Sequence, residues 1–345
     1  MASSNTHTLN AAKKILVVGP SWVGDMVMAQ SLFISLKNIH PDCQIDVLAP
    51  SWTLSLLQRM PEVNEAIIMP VPRGRFALME RIKLGKSLRS KGYDQAILLP
   101  NSWKSAIPTF FANIPLRTGY IGECRWGLLN DARKLNKNLL TMTVQRFVAL
   151  GLPVDAPMPP SCPKPALTIS EDRQQAVIDK FQLTPVASRI LALCPGAEYG
   201  PAKRWPPEHY AEVARQRIDQ GWQVWLFGSE KDKNDAAQIN RAVSGLCRDF
   251  TGSTSLAEAV DLMSLADAVV SNDSGLMHVA AALDKKVIAV YGSSDPGFTP
   301  PLNGKARIIT LKLDCSPCFK RECPLGHSNC LTGITPEQVL NIINN

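Results

Sequence analysis

The hydrophobic pattern of the chain alternates between short β-rich runs and longer helix-like segments. In the first half, the short runs predict strands at residues 14–18, 44–49, 65–69 and 95–100. Helix-like segments lie between them, for example at residues 26–38 and 76–91. Strands that alternate with helices predict βαβ units, and therefore a parallel sheet covered by helices on both faces.

The same alternation restarts after a proline-rich segment. Six prolines fall between Pro153 and Pro165, which excludes a helix or central strand there and predicts an extended linker. Strands are then predicted at residues 189–195, 222–228, 267–273 and 286–292, with helices at 207–220 and 274–283. A last helix is predicted with Thr335 as N-cap and Pro336 at its first position.

The predicted organisation is α/β, with two doubly wound, Rossmann-like parallel-sheet domains that face each other across a cleft. The segments are a flexible N-terminal extension (1–13), a first domain (14–152), a linker (153–186), a second domain (187–333) and a C-terminal helix (334–345). Ligands of such sheets bind beyond the carboxyl ends of the strands. The cleft between the domains is therefore the expected site.

Composition adds an expectation about partners and location. The 345 residues carry a net charge of +7, with a pI of about 8.9, which favours an anionic partner. The first dozen residues lack the apolar core of a signal peptide, and no run of about 18 apolar residues occurs. We expect a cytoplasmic protein whose basic face can touch the inner surface of the inner membrane, with its nine cysteines mostly reduced.

The stretch "GPSWVGDMVMAQ" follows the first predicted strand. Gly19 and Gly24 are spaced as in a phosphate-binding P-loop, but Asp25 and Met26 stand where that loop has Lys and Ser or Thr. A carboxylate therefore occupies the position of a phosphate binder. As an alternative, Asp25 is simply an acid in the first turn of a helix.

The loop "CPGAEYGPAKRWP" has the features of a phosphate or diphosphate site. Gly196 and Gly200 let the backbone approach a ligand, Lys203 and Arg204 add two cations, and a helix begins close behind them. The alternative is a solvated basic turn.

Two further strand-to-helix turns offer polar groups to a phosphate or to sugar hydroxyls. In "SNDSGLMHVAAAL", the free helix amides suit a phosphate and Asp273 suits sugar hydroxyls, whereas a plain N-cap at Asp273 and a core role for His278 are the alternatives. In "FGSEKD", Glu230 can accept hydrogen bonds from a ribose diol, or be only an acid near a helix start. The loop at residues 251–256 is a weaker candidate for contact with a base.

The first half offers cations in place of a phosphate loop. These are Arg73, Arg75, Arg81, Lys83, Lys86, Lys104, Arg117, Arg125 and Arg133. Lys104 in "NSWKS" and Arg117 in "RTGY" follow strands or lie in loops, so they are the better candidates for contact with an anion.

Together these motifs, with "RMPEVNEA" and "YGSSDPGFTPP", resemble the ADP-heptose–lipopolysaccharide heptosyltransferase II family, within glycosyltransferase family 9. The resemblance runs in order from residue 14 to residue 345. It implies a GT-B fold, with the acceptor on the N-terminal domain and the nucleotide sugar on the C-terminal domain. It also implies inverting transfer of L-glycero-D-manno-heptose from ADP-heptose onto the first heptose of the lipopolysaccharide inner core.

The resemblance also assigns roles to residues. Asp25 is the general base that takes the proton of the acceptor hydroxyl, and Lys203 stabilises the departing diphosphate. The implied donor-binding residues are Gly196, Glu198, Lys203, Arg204, Glu230, Asp273, Ser274, Gly275, Leu276 and His278. The implied acceptor-binding residues are Ser21, Trp22, Gly24, Lys104 and Arg117. We expect no metal and no cofactor, a heptosyl-Kdo2-lipid A type acceptor at the inner membrane surface, no nucleic acid, and a monomer.

A cysteine-rich segment at residues 315–330 departs from the rest. "CSPCFKRECPLGHSNC" has the pattern C-x2-C-x4-C-x6-C, with His327 inside it. A structural zinc site, thiols that pair on oxidation, and a cysteine-rich loop without a ligand all fit this spacing.

Other functions compete with heptosyltransferase II. Heptosyltransferase I and a nucleotide-sugar epimerase share the expected fold. A non-enzymatic nucleic-acid binder would use the net positive charge, but the cations are dispersed and no aromatic stacking motif accompanies them.

Overall fold

The computed structural model describes residues 13–71, 74–183 and 188–344. The predicted N-terminal extension up to residue 12, Arg73, the end of the predicted linker and Asn345 lie outside these residues. In the described part of the chain, no helix combines the length and the apolar character needed to span a bilayer.

The N-terminal domain is built on a six-stranded sheet in which every pairing is parallel. Its strands are β1 (Lys14–Val18), β2 (Gln44–Ala49), β3 (Val63–Ile68), β4 (Gln95–Leu98), β5 (Leu116–Tyr120) and β6 (Asp131–Arg133). They lie in the order β3-β2-β1-β4-β5-β6. The order reverses between β1 and β4, which is where a doubly wound sheet opens its ligand crevice.

The helices of this domain cover the two faces of the sheet. They are α1 (Val23–Ile39), α2 (Leu54–Leu57), α3 (Leu78–Ser87), α4 (Trp103–Phe111) and α5 (Thr143–Gly151). Helix α1 carries an acid in its first turn and Lys37 in its last, as the helix dipole favours. Its buried side chains, among them Leu32 and Phe33, join the core that extends into the second domain.

The C-terminal domain repeats the same strand order. Its strands are β7 (Ile190–Cys194), β8 (Gln223–Leu226), β9 (Arg248–Asp249), β10 (Ala268–Asn272), β11 (Lys286–Tyr291) and β12 (Arg307–Thr310). They form a second parallel sheet, ordered β12-β11-β10-β7-β8-β9. Here the order reverses between β7 and β10, so the loops after these two strands flank the crevice.

Helices again surround this second sheet. They are α6 (Glu171–Lys180), α7 (Pro207–Asp219), α8 (Lys233–Ala242), α9 (Leu256–Met263), α10 (Gly275–Ala282), α11 (Asn329–Thr332) and α12 (Pro336–Asn344). Helix α6 lies inside the predicted linker, yet Gln174 donates from Nε2 to Ser264 Oγ at 2.8 Å, which ties the helix to the second domain. The irregular, proline-rich part of the linker is therefore shorter than the sequence predicted.

The two domains are joined by polar contacts that are themselves buried. Arg59, which follows α2, forms a salt bridge with Asp261 of α9, and Nη2 and Oδ2 lie 2.5 Å apart. The linker adds further contacts, because Gln30 of α1 exchanges two hydrogen bonds with the backbone of Ala166. The predicted α/β class with two facing parallel-sheet domains is confirmed.

Candidate active site

Loops at the carboxyl edges of the two sheets enclose a cleft of about 410 Å³ between the domains. From the N-terminal domain it is lined by Ser21, Trp22, Val23 and Trp52. From the C-terminal domain it is lined by Gly196, Ala197, Glu198, Phe227, Gly228, Ser229, Asp232, Thr254, Ser255, Leu256, Ala259, Ser274, Gly275 and Leu276. Seven of the predicted site residues therefore meet in one cleft: Ser21, Trp22, Gly196, Glu198, Ser274, Gly275 and Leu276.

Asp25 lies in the first turn of α1, beside the cleft-lining residue Val23. Its side chain is half-buried. The pKa of the Asp25 carboxyl is raised to about 6, chiefly by burial and also by the nearby charge of Asp273, while Lys203 opposes the shift. A carboxyl with a pKa near 6 is mostly ionised at neutral pH but holds a proton more readily than an ordinary aspartate, as a general base requires.

Lys203 and Asp273 form an ion pair at the crevice of the C-terminal sheet. Lys203 comes from the loop after β7, and Asp273 directly follows β10, the two strands between which the sheet order reverses. Asn272 fixes these loops together: it donates to the carbonyl of Pro195 at 2.6 Å and accepts from the backbone N–H of Trp205 at 3.0 Å. The pair therefore sits on a rigid base and faces Asp25 of the other domain.

The N-terminal ends of α1 and α10 meet in close contact. A Cβ atom on Gly24 would lie 2.6 Å from Cδ2 of His278, and one on Gly275 would lie 2.9 Å from Cβ of Val23. Burial lowers the pKa of the His278 imidazole to about 4, with Asp273 opposing that shift and Lys203 adding to it. His278 is therefore neutral at physiological pH and packs as an uncharged ring behind the three charged groups.

The glycine loop after β7 lies close to an acidic side chain. A Cβ on Gly196 would come within 2.5 Å of Asp232 Cγ, so only glycine fits there. Both guanidinium ends of Arg204 are paired with acids, since Nη2 lies 3.1 Å from Asp232 and Nη1 lies 2.9 Å from Asp235. Arg204 thus holds the loop against α8, and Lys203 is the cation of this pair that faces Asp25.

Glu198 and Glu230 each pair with a lysine, and of the two only Glu198 lines the cleft. Glu198 lines it and pairs with Lys231, and Nζ and Oε1 lie 2.6 Å apart. The Glu230 side chain is 72% exposed and pairs with Lys233 at 2.8 Å. Its predicted contact with a ribose stays a prediction.

The far end of the cleft combines an aromatic side chain with polar groups. Phe227 directly follows β8, and Thr254, Ser255 and Leu256 come from the loop that the sequence singled out as a weak candidate for contact with a base. Ser255 caps α9 by accepting from the N–H of Glu258, while Glu258 accepts from the N–H of Ser255 at 2.8 Å. The capping box therefore fixes the position of these polar groups.

Lys104 lines a second cavity, of about 120 Å³, at the crevice of the N-terminal sheet. Ser21 and Trp52 line both cavities, so the two spaces adjoin. The indole N–H of Trp52 donates to the carbonyl of Ser21 at 3.0 Å and thereby holds the loop that precedes Asp25.

Arg117 does not reach either cavity, and its predicted position was wrong. "RTGY" lies within β5 rather than after a strand, and Arg117 pairs in register with Ala96, near the amino end of the sheet. Its guanidinium donates to the carbonyls of Leu128 and Ile114 at 2.7 and 2.5 Å. Arg117 therefore stabilises the turn that follows β5, on the far side from the cleft.

Several cleft residues were missed by the sequence analysis. Trp52 and Ala259 lie outside every motif that the sequence singled out. The others lie within quoted motifs but were not named as site residues: Val23, Ala197, Phe227, Gly228, Ser229 and Asp232. Trp52 could have been found, because a tryptophan shortly after a predicted strand lies where ligands bind and is 44% exposed. Asp232 and Ala259 carry no comparable signal, because a helix start and a helix interior use those residues for structural reasons alone.

The four cysteines of the cysteine-rich segment do not line the cleft, although the segment contacts the loop that carries Lys203: the backbone N–H of Ala202 donates to the carbonyl of Arg321 at 3.0 Å. Cys315, Cys318, Cys323 and Cys330 border a cavity of about 20 Å³ together with His327. All nine cysteines lie in the described part of the chain, and each is a free thiol. Among the described residues, no group of three or more His, Cys, Asp or Glu side chains is arranged to hold a metal ion.

Comparison with known proteins identifies relatives over the whole chain. Residues 81–329 match the family described as glycosyltransferase family 9 (heptosyltransferase). The chain is 50% identical to lipopolysaccharide heptosyltransferase 2 of Salmonella typhimurium, covering 95% of this chain and 96% of the relative. It is 48% identical to lipopolysaccharide heptosyltransferase 2 of Escherichia coli K12, covering 96% and 97%. The solved structure of E. coli ADP-heptose LPS heptosyltransferase II superposes with a TM-score of 0.82 at 46% identity, covering 96% of this chain and 97% of that one.

Proposed function

The chain belongs to glycosyltransferase family 9, the heptosyltransferases, and from that premise we propose that it transfers L-glycero-D-manno-heptose from ADP-heptose to the first heptose of the lipopolysaccharide inner core. Relatives at 48 to 50% identity that carry the name heptosyltransferase 2 support this acceptor over that of heptosyltransferase I. The observation that carries the chemistry is the position of Asp25, opposite the Lys203–Asp273 pair of the other domain.

Asp25 acts as the general base in this reaction. The acceptor hydroxyl attacks the anomeric carbon of the heptose while its proton passes to the Asp25 carboxylate. A new carbon–oxygen bond forms on one face of the sugar, and the bond to the diphosphate breaks on the other. One displacement of this kind inverts the anomeric carbon and needs no covalent intermediate with the enzyme.

Lys203 stabilises the negative charge that develops on the leaving diphosphate. The ammonium group lies over the ring of Tyr199, 5.1 Å from its centre, and only 18% of its side chain is exposed. The amides at the start of α10, near Ser274 and Gly275, face the same cleft and add their partial positive charge. Donors that are already in place cost little reorganisation as the charge develops.

The remaining donor contacts follow from the lining of the cleft. Asp273 binds heptose hydroxyls once Lys203 turns to the diphosphate. Phe227 and Leu256 offer an apolar surface for the adenine, and Thr254 and Ser255 offer hydrogen bonds to its edge. The ribose lies beside Glu198, which lines the cleft, and Glu230, which directly follows the cleft-lining residue Ser229, and donates its hydroxyl hydrogen bonds to these carboxylates.

The acceptor enters from the N-terminal domain, past Ser21, Trp22 and the cavity that holds Lys104. We propose a heptosyl-Kdo2-lipid A type acceptor, reached by a cytoplasmic protein from the inner membrane surface. The net charge of +7 supports contact with an anionic lipid surface. Because both halves of the site come from one chain, a monomer is sufficient for the reaction.

Mass spectrometry of the acceptor tests this function. Lipopolysaccharide that carries one heptose is incubated with the protein and ADP-heptose, and a mass gain of one heptose is expected. Acceptor that lacks heptose serves as the control, because heptosyltransferase I would extend that one instead. If the sugar of ADP-heptose is altered in the absence of any acceptor, the protein is an epimerase. If neither acceptor gains a heptose, the heptosyltransferase assignment is wrong.

A further inference from the structure

The second cavity lies at the crevice of the N-terminal sheet, where loops after β1, β2 and β4 converge. Its volume of about 120 Å³ is small beside the roughly 300–1,000 Å³ of a site for a whole drug-sized ligand, so it suits a single chemical group. The first turn of α4 contributes Ser102, Lys104 and Ser105 to its wall. The cavity adjoins the cleft through Ser21 and Trp52, and so lies on the acceptor side of Asp25.

Arg81 contributes a buried positive charge to this cavity. The residue is only 6% exposed. Among the described residues no carboxylate pairs with it, and burial lowers the pKa of its guanidinium. Only Nε makes a short hydrogen bond, to the carbonyl of Phe76 at 2.8 Å. The two terminal nitrogens reach the carbonyls of Lys104 and Arg75 at 3.4 Å, close to the limit of a hydrogen bond, and Nη1 also donates to the thioether sulfur of Met69 at 3.7 Å.

The terminal nitrogens of two other buried arginines, Arg59 and Arg217, make shorter hydrogen bonds than those of Arg81. Arg59 pairs with Asp261, and Arg217 donates to Gln220, Asn344 and the carbonyl of Leu340 at 2.7 to 3.1 Å. A buried cation without such partners is costly, because desolvation is not offset by a counter-charge. The guanidinium of Arg81 is therefore desolvated without a counter-charge, and it lines a cavity that opens towards the cleft.

We propose that this cavity binds an oxyanion of the acceptor, either a phosphate or a sugar-acid carboxylate, through the guanidinium of Arg81. The inference rests on the proposed function, because it assumes that the acceptor enters on this side. Arg81 presents two parallel N–H groups that match an oxyanion. Lys104 supplies a second cation, and the start of α4 supplies a favourable dipole. The acceptor is thereby held at a fixed distance from Asp25.

Acceptor affinity of Arg81 variants tests this site. The dissociation constant for the one-heptose acceptor is measured by intrinsic fluorescence, and KM values are measured for the acceptor and for ADP-heptose. We expect Arg81→Gln to weaken acceptor binding about 10- to 100-fold and to leave the KM for ADP-heptose unchanged. Arg81→Lys, which keeps the charge but loses the planar fork, should have an acceptor affinity between those of Arg81→Gln and the wild type.

Lys83→Gln, on the exposed face of the same helix, is the matched control, and its dissociation constant for the acceptor should stay within about twofold of the wild-type value. Equal acceptor affinity for Arg81→Gln and Lys83→Gln would overturn the assignment.

A second variant covers the case in which Arg81→Gln does not fold. Ser102 lines the cavity and precedes α4, a position where an acid suits the helix. Ser102→Glu should place a carboxylate opposite Arg81 and compete with the acceptor, so acceptor affinity falls while the melting temperature is kept. Unchanged affinity in a folded Ser102→Glu protein would argue against an anion in this cavity.

Modified acceptors identify the source of the oxyanion. One arm uses dephosphorylated acceptor, and the other uses acceptor whose carboxylates have been reduced. The modification that removes the group bound by Arg81 should weaken wild-type binding and abolish the difference between wild type and Arg81→Gln. If neither modification changes wild-type binding, the oxyanion site is wrong. Because these readouts are binding constants, they decide the question even if no heptose is transferred, an outcome that would contradict only the proposed function.

Discussion

The imidazole of His278 lies directly against the backbone of Gly24, so that a methyl group on Gly24 would come within 2.6 Å of Cδ2. Gly24 belongs to the N-terminal domain and His278 to the C-terminal domain. Each lies close in sequence to a charged residue of the site. Gly24 is followed by Asp25, and His278 lies in the first turn of α10, the helix that begins just after Asp273. This contact between two helix ends therefore sets the separation between the base and the Lys203–Asp273 pair.

Gly24→Ala should separate these two helix ends. The ring of His278 is buried and cannot move aside freely, so we expect a loss of about 1–3 kcal/mol in stability, as for other overpacked contacts. A displacement of about 1 Å at the base can lower kcat by about 100-fold. Thermal unfolding and steady-state kinetics measure both effects. Gly304→Ala is the control, since a Cβ there meets only the flexible end of Lys164 at 3.3 Å.

The rate should fall in acid because Asp25 must be ionised to accept a proton. With the pKa of Asp25 at about 6, kcat/KM is expected to be level above pH 7 and to fall about tenfold per unit below pH 6. Asp25→Asn should lose most of the turnover at every pH and retain binding of ADP-heptose, whose site lies on the other domain. Wild-type turnover in Asp25→Asn would exclude the base assignment.

The fall of the rate in acid is the acid limb of the pH profile. The charges of Lys203 and Asp273 should shift this limb along the pH axis in opposite directions. Lys203 lowers the pKa of Asp25 and Asp273 raises it. Lys203→Ala should therefore shift the limb to higher pH, in addition to lowering kcat by about 10²–10³-fold through lost stabilisation of the diphosphate. Asp273→Asn should shift it to lower pH. A pH profile of the residual activity of each variant decides this, and an unmoved limb in both would show that Asp25 is not the group that titrates.

The ionised carboxylate of Asp25 should also lower the free energy of unfolding at neutral pH. Its pKa is raised in the folded protein from 3.8 to about 6, so the folded state binds the proton more tightly than the unfolded state. Stability from this group is therefore present at low pH and is lost as the pH rises from about 4 to 6. Asp25→Asn should gain up to about 3 kcal/mol at pH 8 and little at pH 4. Melting temperatures at the two pH values, with exposed Asp42→Asn as control, measure the gain.

Much of the fold was open to prediction because buried parallel strands are continuous apolar runs. All eight predicted strands are present, and their ends differ from the prediction by at most about two residues. The strands β5, β6, β9 and β12 were missed because they lie towards the sheet edges. β5 contains Arg117, and β9 consists only of Arg248 and Asp249, so charged side chains interrupt the apolar run. Helix α6 was missed because prolines dominate the segment before it.

The site was predictable where a motif directly follows a strand, and less so elsewhere. Gly24, Asp25, Lys203 and Asp273 each lie close behind a strand, and the facing sheets bring them together. Arg81 appeared in the sequence only as one cation of nine. Its burial depends on packing between α3 and α4, and no local pattern encodes such a tertiary contact. Arg117 was misplaced because the strand that contains it was not predicted.

The salt bridge between Arg59 and Asp261 should control how firmly the domains are joined. Both side chains are less than 10% exposed, and Arg59 also donates to the carbonyl of Ser55 at 2.7 Å. Removing one partner leaves the other as a buried, unpaired charge, so Asp261→Leu should cost about 3–5 kcal/mol. The double variant Arg59→Met with Asp261→Leu removes both charges and should recover most of that loss. Chemical denaturation of the wild type, both single variants and the double variant gives the coupling energy. If the losses of the two single variants simply add in the double variant, the pair does not act as a unit, and the domains are held by the apolar core alone.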